Sequence, residues 1–208
     1  MKMTCAILAG GKSTRMGQDK ATMRIGDKPL ICFIYTIVKE VFDDVIIISR
    51  VHNTIEGIDA PVLKDALPFG GSMTGIASAL LYSETPYTFV VGCDMPFLST
   101  EAFEYMQNEV AGEDIVIPKT KYMQNEVAGE DIVISKTKWG FEALHAIYNR
   151  CCMAHFFRLI EQNRFKVAEI LPFVSVKELE ENPCFFRNGN SVFTNINTMN
   201  DLAMVEAE

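Results

Sequence analysis

Short apolar segments alternate with helix-forming segments along the first half of the chain, and this order constrains the fold more than any other feature. The segments TCAILA (4–9), DDVIIISR (43–50) and YTFVVGCDMP (87–96) are typical of buried strands. Two segments with helical periodicity, KPLICFIYTIVKEV (28–41) and GSMTGIASALLYSE (71–84), lie between them. This alternation predicts an α/β fold in which helices cover both faces of a mostly parallel sheet, giving a three-layer, Rossmann-like αβα sandwich.

The remaining segments extend this pattern. APVLKD (60–65) predicts a short strand, FEALHAIY (141–148) a longer one and CCMAHFFRLIEQN (151–163) a helix. The charged run KELEEN (177–182) is typical of a solvated helical turn. SVFTNINTMNDLAMVE (191–206) predicts a strand that runs into a C-terminal helix.

Size and charge set the broad class of the protein. The chain has 208 residues, 49% of them hydrophobic, which suits a single domain spanning residues 1–208. Its net charge of −8 argues against the broad basic surface that nucleic-acid binding requires. The six cysteines form no CxxC pair, and Cys5, Cys32 and Cys93 lie in apolar runs that are typical of reduced, buried thiols, which suits a cytoplasmic protein. The N-terminal apolar run is too short for a signal peptide or a membrane span.

A tandem repeat interrupts the pattern. Residues 105–121 recur almost unchanged as residues 122–138, and the copies differ only at Pro118 and Ser135. Each copy contains the strand-like segment EDIVI, although the predicted sheet needs only one strand at this point. Solenoid repeats diverge and occur in threes or more, so this is not a repeat architecture. We expect one copy within 105–138 to pair in the sheet and the other to be an insert or an artefact of the sequence.

The loop after the first strand, LAGGKSTRMGQDK (8–20), carries the strongest chemical signal. A P-loop would need a glycine five residues before Gly11, where the sequence has Ala6. The dinucleotide pattern GxGxxG also fails, because Gly10 and Gly11 are adjacent and the next glycine is Gly17. What remains is a strand followed by two glycines, whose backbone can turn sharply and direct amide groups at phosphate oxygens.

Basic side chains accumulate in the same loop of this acidic protein, which favours binding of a polyanion: Lys12, Arg15 and Lys20. The guanidinium group of Arg15 offers a planar fork for a phosphate, and Lys20 adds a point charge. The alternative is an ordinary strand-to-helix corner whose lysines and arginine are solvated.

A second signal is Asp94, which emerges from the apolar strand in the sequence GCDMP. A carboxylate at the end of a buried strand is costly without a partner, and a divalent cation would be a suitable one. The alternative is that Asp94 caps the following helix, although Ser99 or Thr100 is the better N-cap candidate. Together, the basic glycine loop and Asp94 suit a nucleoside triphosphate bound with Mg²⁺.

Four segments in this order resemble the molybdenum cofactor guanylyltransferase (MobA-type) family: ILAGGKSTRMGQDKA, VLKDALPFGGSMTGI, GCDMPF and FTNINTMNDL. The first and third motifs are shared with other nucleotidyltransferases, whereas the double glycine and the terminal NINT are more specific. The chain departs from the family at Ser72 and Met73, where Pro-Leu is usual, and at Met199, where proline is usual. Without one copy of the repeat the chain would have 191 residues, the length that the resemblance implies.

The resemblance also implies roles for residues of this chain. The first loop would bind the triphosphate through Leu8, Ala9, Gly10, Gly11, Arg15 and Lys20. Asp65 and Gly75 would line the guanosine pocket, and Asp94 would hold Mg²⁺. Asn195 and Asn197 would face the pterin acceptor. Arg15, Lys20 and Asp94 would be the catalytic residues.

The implied reaction is transfer of GMP from GTP to molybdopterin with release of pyrophosphate, and a molybdopterin-delivering protein is an implied partner. The acceptor phosphate is largely ionised at neutral pH, so no side chain is needed to deprotonate it. Two alternatives stay open: a cytidylyl- or sugar-phosphate nucleotidyltransferase of the same architecture, and a nucleotide-binding module without turnover. His145 is expected in the core or in a pocket wall, and His155 on an inward helix face.

Overall fold

The computed structural model describes residues 2–9, 23–51, 54–111, 132–137, 140–179, 182–196 and 201. Its strands, in chain order, are β1 (Thr4–Leu8), β2 (Arg24–Ile25), β3 (Lys28–Pro29), β4 (Asp44–Ser49), β5 (Val62–Lys64), β6 (Tyr87–Gly92), β7 (Ile132–Thr137), β8 (Gly140–Asn149), β9 (Val176–Leu179), β10 (Phe186–Arg187) and β11 (Asn190–Ser191). Its helices are α1 (Leu30–Lys39), α2 (Ser72–Tyr82), α3 (Thr100–Ala111) and α4 (Cys152–Glu161), with 3₁₀ helices at Val167–Phe173 and Pro183–Phe185. Within these ranges no helix has the length and apolar character needed to cross a bilayer.

Seven strands form one sheet in the order β5, β4, β1, β6, β8, β7, β9. The first four are parallel to one another, and β7 is parallel to β9. Only β8 runs against its neighbours β6 and β7. The predicted mostly parallel sheet is therefore confirmed. Its central strands are continuous apolar runs because both faces of such a sheet are covered, and all five residues of β1 are buried.

Side chains that alternate along β1 enter two cores, one on each face of the sheet. Cys5 and Ile7 join the core that α1 and α3 cover, whereas Ala6 and Leu8 join the core that α2 and α4 cover. Each fully buried aliphatic side chain stabilises such a core by about 1.5–3 kcal/mol. Helices on both faces confirm the three-layer αβα sandwich.

Two predictions near the C-terminus were wrong. The charged run at 177–182 was expected as a helical turn, but Val176–Leu179 form β9 beside β7. Burial decides the outcome, because Leu179 is 4% exposed in the core and Lys177 pairs with Glu109 of α3 at 3.0 Å.

The second wrong prediction is a strand that runs from residue 191 into the C-terminal helix. Only the two-residue strand β11 forms there, paired with β10 in a tight hairpin. Asn188 and Gly189 at its tip both have positive φ, 51° and 81°, as the favoured two-residue hairpin turn requires. Residues 192–196 then run as an irregular segment, and most of the predicted C-terminal helix lies outside the described residues.

Each copy of the repeat contributes one short segment to the described fold. Residues 105–111 of the first copy complete α3, and residues 132–137 of the second copy form β7. The strand-like segment of the first copy, 113–117, lies outside the described residues.

The two residues at which the copies differ explain why the second copy suits β7. Ser135 pairs with Leu179 of β9, and on the other side of β7 it lies at a register shift in the pairing with β8. Pro118 of the first copy lacks the N–H group that a ladder needs, and proline is disfavoured between two strands.

Deleting residues 112–128 tests whether the duplication is dispensable. The deletion leaves one intact copy and shortens the connection between α3 and β7 from twenty residues to three. Because a shorter loop loses less entropy on closure, we expect the free energy of unfolding to rise by about 1–2 kcal/mol in urea titrations. A decrease would mean that the duplicated residues stabilise the fold. Ser135→Pro in the shortened chain is the matched control and should lower the free energy of unfolding by about 1 kcal/mol or more.

Candidate active site

The carboxyl ends of the parallel strands are aligned, which places the loops that follow them along one edge of the sheet. Leu8, the last residue of β1, is in register with Ile48 of β4 and with Gly92 of β6. The alignment continues past the strands, since the Ala9 amide donates to the Ile48 carbonyl at 2.8 Å and the Cys93 amide donates to the Leu8 carbonyl at 3.2 Å.

The strand order reverses at β1. From β1 the chain proceeds to β4 and β5 on one side of the sheet, and then returns to β6 on the other side. In open α/β sheets, ligands bind in the crevice beyond the carboxyl ends of the strands at such a switch point. The strand ends at this switch point are those of β1 and β6, and the two loops that the sequence singled out follow them along the chain.

Asp94 lies at this switch point, two residues beyond the Leu8–Gly92 register pair. Its side chain is 8% exposed, and its carbonyl accepts a hydrogen bond from the Ile196 amide at 2.8 Å. The Asp94 carboxylate packs directly over Gly92, because a Cβ on that glycine would lie 2.6 Å from Asp94 Oδ1. The carboxylate can take this position because Gly92, at the end of β6, has no side chain.

The cap of α3 is Ser99, as the sequence favoured. Its Oγ accepts a hydrogen bond from the Ala102 amide at 3.1 Å and donates to the Cys184 carbonyl at 3.1 Å. The helix begins at Thr100, six residues after Asp94. Capping of this helix therefore does not explain the carboxylate of Asp94.

Asp65 follows β5 at the same edge, where its amide donates to the Ser49 carbonyl at 3.0 Å. Its buried carboxylate accepts hydrogen bonds from the Ser78 hydroxyl at 2.8 Å and the Thr74 hydroxyl at 3.1 Å. The Leu67 amide adds a third, at 3.2 Å. Asp65 therefore ties the loop after β5 to the first turns of α2, and its predicted role toward guanosine stays a prediction.

Gly75 is buried where α2 crosses β1. A Cβ at this position would lie 3.0 Å from Leu8 Cδ1, so the absence of a side chain permits close packing of the helix on the strand. Gly71, just before α2, has a φ of 117°, which a residue with a side chain rarely adopts. Gly75 thus has a packing role here, and a role in the guanosine pocket stays a prediction.

Arg50 is a basic residue at this edge that the sequence reasoning missed. Its guanidinium group donates to the Pro68 carbonyl at 2.9 Å and also to the Phe69 carbonyl, across the loop between β5 and α2. The signal was present in the sequence, because a cation directly after the apolar strand VIIIS falls at the carboxyl edge of a parallel sheet.

Asn195 approaches the same place from the C-terminal part of the chain. The amide of the neighbouring Ile196 donates a hydrogen bond to the Asp94 carbonyl at 2.8 Å, and the predicted role of Asn195 toward the pterin acceptor stays a prediction. Other predicted site residues lie outside the described residues, and their roles stay predictions: Gly10, Gly11, Lys12, Arg15, Lys20 and Asn197.

The described histidines do not line this crevice as acid or base catalysts. His145 on β8 is fully buried among aromatic rings, and desolvation lowers its pKa to about 3. His155 on α4 is half-buried and stacks on Phe173, with ring centroids 6.1 Å apart. The core position, one of the two expected for His145, is confirmed.

Replacing Asp65 tests its structural role without any ligand. We expect Asp65→Ala to lower the free energy of unfolding by about 2 kcal/mol or more, because it leaves the buried hydroxyls of Ser78 and Thr74 without their carboxylate. Urea titrations of Asp65→Ala, Ser78→Ala and the double variant measure the coupling. Asp43→Ala, at an exposed position, is the control. Additive effects of the two substitutions would contradict the network.

Sequence comparison places the chain among nucleotidyltransferases. Residues 5–169 match the MobA-like NTP transferase domain. A protein of Pelotomaculum thermopropionicum named "Probable molybdenum cofactor guanylyltransferase" is 32% identical, over 100% of this chain and 95% of its own length. The molybdenum cofactor guanylyltransferase of Desulfosudis oleivorans is 29% identical, over 99% of this chain and 95% of its own length.

Solved structures show the same fold. Molybdopterin-guanine dinucleotide biosynthesis protein A from Archaeoglobus fulgidus superposes with a TM-score of 0.78 at 23% identity, covering 98% of this chain and 97% of its own. The 4-diphosphocytidyl-2C-methyl-D-erythritol synthase of Anaerococcus prevotii gives 0.66 at 13% identity, covering 99% and 95%. With the domain match spanning most of the chain, this protein belongs to the MobA-like NTP transferase family and is a nucleotidyltransferase.

Proposed function

We propose that this protein transfers GMP from GTP to molybdopterin or Mo-molybdopterin, forming the guanine dinucleotide cofactor and releasing pyrophosphate. The names of its full-length relatives support this substrate pair. The observation that carries the proposal is the position of Asp94, a nearly buried carboxylate at the switch point, beside the strand that leads into the basic glycine loop. The proposal extends to a cytoplasmic location and to a partner protein that delivers molybdopterin.

The reaction needs positioning and charge neutralisation rather than a base. The acceptor is a phosphate monoester whose second pKa lies near 6, so it is already an anion at neutral pH. Its oxygen attacks the α-phosphorus of GTP while the bond to pyrophosphate breaks. In this proposal Arg15 and Lys20 neutralise charge on the triphosphate, and amides of Gly10 and Gly11 orient it. Asp65 and Gly75 border the guanosine side, and Asn195 and Asn197 border the acceptor.

Asp94 fits the requirements of a magnesium ligand. Mg²⁺ in nucleotide sites is usually held by one or two carboxylates together with substrate phosphates, so a single carboxylate at the crevice suffices. The described residues contain no group of three or more His, Cys, Asp or Glu that could hold a metal by themselves. When bound, Mg²⁺ would supply positive charge to the phosphate oxygens. The protein holds the Asp94 backbone through the hydrogen bond from the Ile196 amide to the Asp94 carbonyl, and Gly92 leaves room for the carboxylate.

Removing one charged group from the site tests the assignment of roles. We expect Lys20→Ala and Asp94→Ala each to lower kcat by about a hundredfold or more, the scale seen when one electrostatic stabiliser is lost. Pyrophosphate release with GTP, Mg²⁺ and molybdopterin is the measurement. Lys39→Ala and Asp43→Ala remove the same charges from exposed positions and should retain turnover. Wild-type turnover in Lys20→Ala or Asp94→Ala would refute these roles.

Gly92→Ala tests the position of the Asp94 carboxylate while keeping it in the protein. The new methyl group would lie 2.6 Å from Asp94 Oδ1, closer than real contacts allow, so the carboxylate must shift. We expect a loss of kcat of at least tenfold, because misplacing a positioning group by about 1 Å costs up to a hundredfold. Circular dichroism should show an intact fold. A folded Gly92→Ala protein with wild-type kcat would contradict the geometry.

Base choice separates the proposal from its alternatives. Parallel assays with GTP, CTP and UTP distinguish a guanylyltransferase from a cytidylyl- or uridylyltransferase of the same fold. A module without turnover would bind nucleotide but release no pyrophosphate when the acceptor is present. We expect turnover with GTP but not with CTP or UTP, and only when molybdopterin is present.

A further inference from the structure

His145 occupies an unusual environment for a polar side chain. It lies on β8, in register with Val91 of β6, and it is fully buried. Its ring stacks on Phe103 of α3 at 5.6 Å between centroids and meets the edge of Phe89 at 5.2 Å. From the other side Phe193 approaches to 5.1 Å, and Phe185 to 6.5 Å.

Neither ring nitrogen of His145 has a hydrogen-bond partner within the described ranges. A buried polar atom without a partner costs about 1–3 kcal/mol, and a phenylalanine at this position would not incur that cost. The aromatic surroundings keep the imidazole neutral, since burial opposes the charged form. A polar ring thus stands where the packing would suit an apolar one.

His145 supports the C-terminal segment, residues 182–196. Phe185 and Phe193 of this segment contact each other at 5.1 Å and rest on the histidine ring. The same segment carries Asn195, and its Ile196 amide donates to the Asp94 carbonyl. Displacing the segment would therefore withdraw a backbone contact from the loop that presents Asp94.

The segment also forms hydrogen bonds with the residues that precede α3. Arg187 donates to the Leu98 carbonyl at 2.9 Å, and Ser99 donates to the Cys184 carbonyl at 3.1 Å. Beneath the segment, the described contacts of His145 are with aromatic rings. Phe185 and Phe193 therefore contact His145 through apolar packing on a neutral imidazole ring.

The elements that pack against His145 carry several charged or titratable residues. Phe89 and Val91 on β6 carry no charge. On β7, Lys136 is in register with Phe141 of β8, which is four residues from His145 along the strand. The charged or titratable residues of α3 and of the C-terminal segment are Glu101, Glu104, Tyr105, Glu109, Cys184 and Arg187. The described ring contacts place Tyr105 against Phe185 rather than against His145.

We propose that neutral His145 is a positioning residue that holds the C-terminal segment against the loop of Asp94, and that protonation of its ring favours local opening of this segment. Opening removes Phe185 and Phe193 from the ring and lets water reach it. The imidazole then takes up a proton that the closed form excludes. The proton comes from solvent, and closing the segment returns it there.

The sign of the pH effect follows from the two environments. In the closed form the pKa lies at about 3, whereas a solvated histidine titrates near 6.5. The open form therefore binds more protons at every pH between these values, and the closed form loses stability as the pH falls below about 6.5. From pH 7.5 to pH 5.0 the population of the open form should rise about 30-fold.

Amide hydrogen exchange at Ile196 measures this opening directly, because its N–H bonds to the Asp94 carbonyl only in the closed form. After correction for the intrinsic pH dependence of exchange, we expect the opening constant of the wild-type protein to rise about 30-fold between pH 7.5 and 5.0. In His145→Phe the same change should be less than about threefold. His155→Phe makes the same substitution at a half-buried site and should behave as wild type.

Two outcomes would overturn the proposal. One is an equal rise in wild-type protein and in His145→Phe, which would assign the effect to another group. The other is exchange at Ile196 that follows the core amide of Ile7 as guanidinium is added, which would indicate global unfolding rather than local opening. His145→Leu serves as the second variant if phenylalanine is too large for the fold. No substrate is needed, so the result is independent of the proposed reaction.

Discussion

The alignment of β1 with β4 and β6 is the constraint on which the site depends. Because the three strands end at the same level, the loops that follow them open onto one edge, and the reversal of strand order leaves a crevice there. Backbone pairing sets this geometry, and the site adds one requirement on the strands, the absence of a side chain at Gly92. The first residues after each strand supply the chemical groups. The residues that follow a strand in the sequence therefore indicate which groups the site contains.

Around this edge, the described hydrogen bonds hold the loops in place by joining them to other parts of the domain. Asp65 joins the loop after β5 to α2, and Arg50 holds the same loop through two carbonyl groups. Ile196 bonds to the loop of Asp94 from the C-terminal segment. Each of these contacts joins elements distant in sequence, so preorganisation of the edge is a property of the whole domain.

Much of this arrangement was predictable, for reasons that differ between residues. Continuous apolar strands and glycine-flanked helices predict a parallel sheet, and Asp94 stands out because carboxylates rarely end such strands. The hairpin at Asn188–Gly189 was missed although an Asn-Gly pair is a strong turn signal, since the apolar residues that follow it outweighed it. The strand β9 was not predictable from its charges, because only the tertiary contact of Lys177 with Glu109 and the burial of Leu179 favour it. The hydroxyl groups that bond to Asp65 could not be predicted from the sequence either, because their position depends on how α2 packs on the sheet.

One of the two outermost described strands, β9, has a consequence for contacts between molecules of this protein. A strand at the end of a sheet presents backbone groups that can pair with the edge of another molecule, which is the first step of many aggregates. Here that strand is four residues long and includes Lys177 and Glu178. Short length and charge both discourage intermolecular pairing, so the residues that misled the helix prediction also disfavour edge-to-edge association through β9.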